Sequence, residues 1–172
     1  VAKKDNAGFI NPKKARGPLA MIIQRIVETV RDGQKSAERL VLLVGRPGSG
    51  KSKLLRELST IRGWKYVNCR TFLTEELLEM VPKVRAQEAA GLIAKALDAL
   101  AAEVVVLDDM QVLFAPVLQV DPLNLLKHLG RRFSIVAAWP GQFDGKKLEI
   151  AAAGLSDPKL YDATGLTIVQ IE

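Results

Sequence analysis

The chain has 172 residues, 48% of them hydrophobic, which suits one compact domain with a substantial core and leaves little room for a second. No apolar run reaches the roughly 18 residues of a membrane-spanning helix, the lysine-bearing N-terminus lacks a secretory-type segment, and the lone Cys69 excludes an intrachain disulfide, so the expected setting is the cytoplasm, with no membrane partner. The net charge of +6 is uneven, with 16 Lys/Arg against 5 Asp/Glu in residues 1–70 and 9 against 14 beyond, and a basic first half suits direct contact with DNA or an acidic partner.

Residues 1–17, with Lys3, Lys4, Lys13, Lys14 and Arg16 but few apolar side chains, read as a basic arm, and residues 18–172 as the folded domain. From Pro18, apolar residues at helical spacing (Ile22, Ile23, Ile26, Val27, Val30) predict an amphipathic helix stopped by Asp32-Gly33. Arg25, Arg31 and Arg56 fall where polar helix faces are expected, which accounts for part of the basic excess without nucleic acid. The continuous apolar run Leu40 to Val44 predicts a strand covered on both faces, and Lys51 to Ile61 a helix closed by Gly63. A short strand at Tyr66-Val67, a short helix from Glu75 to Met80 ending at Pro82, and a longer helix through Ala89, Ile93 and Leu97 follow. Val104 to Leu107 is a second buried strand, Asp121-Pro122 opens another helix, and Phe133 to Trp139 is a further strand. Asp144-Gly145 predicts a turn before Leu148 to Ala151, Asp157-Pro158 a helical turn, and Leu166 to Ile171 a last strand. Strands alternating with helices indicate an α/β fold, a mainly parallel, doubly wound sheet with helices on both faces.

Between the first strand and its helix stands Gly45-Arg46-Pro47-Gly48-Ser49-Gly50-Lys51-Ser52, the Gly-x-x-x-x-Gly-Lys-Ser spacing of a phosphate-binding loop, followed by Lys53. A triphosphate crowds several charges onto close oxygens, so its seat needs many N–H donors and no side chain in the way. The glycines let the backbone wrap inward at the positive end of the following helix. Lys51 is the expected bridge between the β- and γ-phosphates, and the Ser52 hydroxyl the expected Mg²⁺ ligand, which makes a P-loop NTPase the expected fold. Asp108, closing a buried strand, is the candidate carboxylate supporting the ion. Asp109 is the candidate to orient and deprotonate water, although aspartate is one methylene shorter than the usual glutamate; a cap on the next turn is the competing role. Trp139 stands at the end of a strand, and an apolar anchor under Pro140-Gly141 suits it better than a γ-phosphate sensor. Arg131 and Arg132 are candidate arginine fingers for a neighbour's nucleotide or part of a solvated face. His128 stands alone.

This arrangement, with a hydrophobic run ending in Asp108-Asp109-Met110-Gln111, resembles the AAA-type ATPases, including their replication-initiator and helicase-loader branch. Residues 39–45 (Arg-Leu-Val-Leu-Leu-Val-Gly), 112–123 (Val-Leu-Phe-Ala-Pro-Val-Leu-Gln-Val-Asp-Pro-Leu), 137–141 (Ala-Ala-Trp-Pro-Gly) and 147–150 (Lys-Leu-Glu-Ile) resemble the small P-loop proteins of bacterial BREX phage-exclusion systems, the BrxF family. That resemblance covers roughly residues 39–172 and implies ATP with Mg²⁺ as ligands, other BREX proteins as partners, and antiviral defence as the setting. With no Asn-Lys-x-Asp guanine-reading motif, adenine is the expected base. The chain closes soon after its last expected strand, so an AAA-like core without the helical lid is expected, with low intrinsic turnover that rises on self-association or with partners and DNA. A small-molecule kinase and a nucleotide-sensing adaptor without hydrolysis are the alternatives. The absence of arginine from Met110 to Val120 disfavours the kinase.

Overall fold

The computed structural model describes residues 18–46, 48–72, 75–115, 118–150 and 159–171; the basic arm and the Asp157-Pro158 turn lie outside them. Helix α1 (Pro18–Asp32) precedes strand β1 (Leu40–Gly45) and α2 (Lys51–Leu58). Next come β2 (Trp64–Asn68), a 3₁₀ turn (Cys69–Phe72), α3 (Glu75–Glu79) and α4 (Pro82–Asp98). Strand β3 (Val104–Asp108) leads through a 3₁₀ turn (Met110–Phe114) to α5 (Pro122–Gly130) and β4 (Ile135–Trp139). The chain continues through β5 (Gln142–Phe143), β6 (Lys147–Ile150), β7 (Lys159–Asp162) and β8 (Thr167–Ile171).

Five strands form one parallel sheet in the order β2-β3-β4-β1-β8. Their period of two sorts the core onto its faces. Val41 and Leu43 of β1, Val104 and Val106 of β3, and Val136 and Ala138 of β4 meet Ile23, Ile26, Val27 and Val30 of α1 and Leu54, Leu55 and Leu58 of α2. Leu40, Leu42 and Val44, Val105 and Leu107, and Ile135, Ala137 and Trp139 meet Ile93 and Leu97 of α4 and Leu123, Leu126 and Leu129 of α5. The expected doubly wound parallel sheet is therefore present, and each fully buried aliphatic side chain contributes roughly 1.5–3 kcal/mol.

Several expected boundaries move, each for a local reason. Helix α2 stops at Leu58 rather than Ile61, because Ser59 and Thr60 turn their hydroxyls onto the carbonyls of Arg56 and Glu57 at 2.6 and 2.7 Å. Ile61 still reaches the core. Pro82 opens α4 instead of closing the preceding helix, since a first helical turn has no use for the missing N–H. Asp121 does cap α5, accepting from the N–H groups of Leu123 and Asn124 at 3.1 and 3.2 Å.

A second sheet, which the turn and strand signals after Trp139 do not predict, follows β4. Strands β5, β6 and β7 form an antiparallel sheet, its first turn held by the Asp144 carboxylate accepting from the N–H groups of Lys146 and Lys147 at 2.8 and 2.7 Å. Leu148, Ile150 and Tyr161 join the core on the α4–α5 side, so this sheet extends the domain beyond the C-terminal end of β4.

Candidate functional site

All five parallel strands end on the same edge, and there a cleft of about 1110 Å³ opens. One side is the glycine loop. Gly48 and Gly50 adopt left-handed backbone angles (φ +82° and +89°), and a Cβ on either would project into open space, so the curl of the backbone is what requires glycine there. Gly45 is constrained differently: a Cβ would lie 2.6 Å from Ser49 Oγ and 2.8 Å from the Ile171 carbonyl oxygen. Gly50 stands at the N-cap of α2 and no side chain among the described residues caps it, which leaves the first N–H groups of the helix facing the cleft. Ser49 Oγ is buried within the loop without a hydrogen-bond partner among the described residues. Lys51 Nζ lies back across the loop and donates to the carbonyls of Gly45 (2.5 Å) and Arg46 (3.4 Å). Burial lowers the Lys51 pKa below the usual lysine value, and the Asp108 charge pulls it part of the way back. Gly45, Gly48 to Gly50, Lys51, Ser52 and Lys53 all line the cleft; Arg46 is exposed outside its wall, and Pro47 lies outside the described residues.

Asp108 reaches this loop because it shares the parity of Val104 and Val106, which points it to the α2 face of β3. Its Oδ1 accepts from Ser52 Oγ at 3.2 Å and from the Asp109 N–H at 2.8 Å, and its Oδ2 accepts from Tyr66 Oη at 2.6 Å. Burial first, and then the bond to Asp108, push the Tyr66 phenol up, so it is a proton donor throughout the neutral range. Among the described residues no group of three His, Cys, Asp or Glu side chains stands together to hold a metal. The donor set of one hydroxyl and one carboxylate nevertheless suits Mg²⁺, a hard ion that takes its remaining ligands from water and phosphate oxygens.

Asp109 is in the left-handed region (φ 58°, ψ 44°) at the start of the Met110–Phe114 turn, but its side chain makes no cap hydrogen bond. The capping role considered for it is therefore not the one it plays. Its carboxylate pairs instead with Arg70 Nε, from the turn after β2. The Arg70 backbone N–H in turn donates to Asn68 Oδ1 at 2.9 Å. Both aspartates also act on buried Cys69, whose thiol is pushed up to about 12, by burial first and then by their charges.

The far wall comes from elements that the motif does not name. Trp139 is fully buried, edge-on to Phe114 and Tyr161 at centroid distances of 5.3 and 5.4 Å, and donates from Nε1 to the Glu149 carbonyl at 3.2 Å. It is the apolar anchor expected beneath Pro140-Gly141. A Cβ on Gly141 would lie 1.7 Å from the Glu149 carbonyl oxygen, so the backbones of the β4–β5 turn and β6 touch directly. Pro140, Gly141, Gln142, Glu149 and Ile150 face the loop across the cleft, with Gln111, Val112 and Ala115 on the floor.

Arg131 and Arg132 are not brought to this cleft. They follow α5 at the N-terminal end of β4, the opposite edge of the sheet, where Arg131 pairs with Glu38 at 3.4 Å and Arg132 with Asp98. Arg56 lies on the exposed face of α2, as expected, and from there it also lines the cleft, with its guanidinium 5.5 Å from the Tyr66 ring centroid. Tyr66, Arg70 and Gly141 were missed as site residues. Only the strand parity of Tyr66 hinted at its position.

Residues 40–133, more than half of the chain, match the AAA domain (dynein-related subfamily). The chain belongs to that family. Domains of this AAA family are nucleotide-binding P-loop NTPases that generally use ATP and Mg²⁺. Among solved structures, C. elegans PCH-2 is similar at 18% identity and a TM-score of 0.46, covering 74% of this chain and 39% of the other. A DNA replication initiation factor is similar at 20% identity and a TM-score of 0.45, covering 91% and 47%. The chain thus spans less than half the length of either. No curated protein matches it. No helix among the described residues is long and apolar enough to cross a membrane.

Proposed function

We propose that this AAA domain binds ATP with Mg²⁺ and hydrolyses it slowly, as a cytoplasmic subunit whose site is completed by self-association or by partners. The observation that carries the reading is the Ser52–Asp108 contact of 3.2 Å at the mouth of the glycine loop, which joins the motif to the end of β3. In this reading the N–H groups of the loop and of α2 hold the β-phosphate, and Lys51 exchanges its carbonyl partners for phosphate oxygens. Ser52 and Asp108 would hold the ion, which when bound would offset the negative charge of the phosphate oxygens. Asp109 takes the proton of the attacking water once its carboxylate is free of Arg70. Residues 18–172 form the P-loop NTPase domain, and the basic first half of the chain contacts DNA or an acidic partner. The segments at 39–45, 112–123, 137–141 and 147–150 support a place among the partner proteins of a BREX phage-exclusion system.

The Arg70–Asp109 ion pair also favours a second reading, a nucleotide sensor that does not hydrolyse. Measuring γ-phosphate release separates the two. Slow turnover that rises with protein concentration, is lost in Lys51→Ala, and falls at least about tenfold in Asp109→Asn with binding retained supports the ATPase. Turnover indifferent to Asp109→Asn supports the sensor, and fast turnover by a proven monomer contradicts a site completed in assembly. Light scattering with and without Mg-ATP and duplex DNA, at low and moderate salt, tests self-association and the DNA contact.

A further inference from the structure

We infer that Tyr66 is a positioning residue for the ion site: its hydroxyl fixes the orientation of the Asp108 carboxylate, so that one oxygen alone faces Ser52 and the divalent ion. The inference rests on the Mg-nucleotide reading above. A carboxylate on a strand end can rotate about its Cβ–Cγ bond and swing its oxygens away from Ser52. Here three donors fix that rotation. Tyr66 Oη occupies Oδ2 at 2.6 Å, within the range of a charge-assisted O–H···O⁻ bond, while Ser52 Oγ and the Asp109 N–H meet at Oδ1. The phenol can reach because Tyr66 pairs with Val106 in the β2–β3 register, two residues before Asp108 on the same face.

Tyr66 is itself held. Arg56, one helical turn beyond Ser52 on α2, places its guanidinium 5.5 Å from the ring centroid. The same helix therefore presents the hydroxyl that meets Oδ1 and the cation that covers the residue holding Oδ2. A ligating carboxylate oriented by an outer hydrogen bond binds metal more tightly, and loss of such a bond typically costs about 10–100-fold in metal affinity.

The test is a fluorescent ATP analogue titrated against the whole chain over a range of Mg²⁺ concentrations and in EDTA, for wild type, Tyr66→Phe, Asp108→Asn and the double variant. Tyr66→Phe keeps the ring and its cation–π contact, and its melting temperature checks that the fold is retained. The expected result is a Mg²⁺ half-saturation raised at least about tenfold in Tyr66→Phe with EDTA binding unchanged. Adding Tyr66→Phe to Asp108→Asn is expected to cost little more, since the hydroxyl acts through the carboxylate. An unchanged Mg²⁺ dependence, an equal loss with and without Mg²⁺, or full additivity would overturn the positioning role while leaving the nucleotide reading intact. Failure of the wild type to bind the analogue at any Mg²⁺ concentration would overturn both.

Discussion

The loop side of the cleft and its far wall differ in how far apart their parts lie along the chain. On the loop side, most of the lining falls within the contiguous stretch Gly45 to Lys53, joined by Asp108 and Tyr66 from two neighbouring strands. The far wall draws Pro140 and Gly141 from the turn after β4, Gln142 from β5, and Glu149 and Ile150 from β6, with Trp139 buried against Phe114 and Tyr161 beneath it. Phosphate binding is thus a property of a short peptide shaped by backbone angles. What happens at the γ-phosphate end depends on packing among distant elements.

Substitutions on the two sides should therefore separate stability from binding. The largest effect is expected at Trp139. Its replacement by alanine removes the ring between Phe114 and Tyr161 and should cost about 4 kcal/mol in urea unfolding, while the remaining folded fraction keeps its affinity for ATP within a few-fold. A loss of affinity as large as the loss of stability would mean that the far wall, not the loop, dominates nucleotide binding. Lys51→Ala should do the reverse, weakening ATP binding roughly 100-fold, about 2.7 kcal/mol, with unfolding changed by less than about 1 kcal/mol. The smallest effect is expected at Arg132→Ala. Its pair with Asp98 is exposed on both sides, so unfolding should shift by no more than about 0.5 kcal/mol and ATP binding not at all. A drop in turnover confined to the self-associated protein would assign Arg132 a role on a neighbour's nucleotide.

The fold was legible wherever burial was one-dimensional. Leu40 to Val44 and Val104 to Leu107 are covered on both faces, and their unbroken apolar runs say so. The stripe of Ile23, Ile26, Val27 and Val30 gave α1 to the residue. The loop was legible because its chemistry needs neighbouring residues. Strand β7 was not, because of its four residues only Tyr161 is buried, which leaves no periodic pattern to read. The partners of Asp109 were equally hidden: Arg70 is an ordinary cation 39 positions away until β2 and β3 lie side by side. Arg56 lies on the polar helix face where the periodicity puts it, and its place in the cleft wall was hidden because the two have the same periodicity.

Isothermal titration calorimetry of Mg-ATP into the wild type, Lys51→Ala and Asp108→Asn, repeated with ATP in EDTA, bears most directly on the seat formed by Gly45 to Ser52 with Asp108. Saturable binding by the wild type is expected, weakened roughly 100-fold in Lys51→Ala, and weakened in Asp108→Asn only when Mg²⁺ is present. No saturable heat from the wild type, or equal affinity in all three proteins, would contradict it.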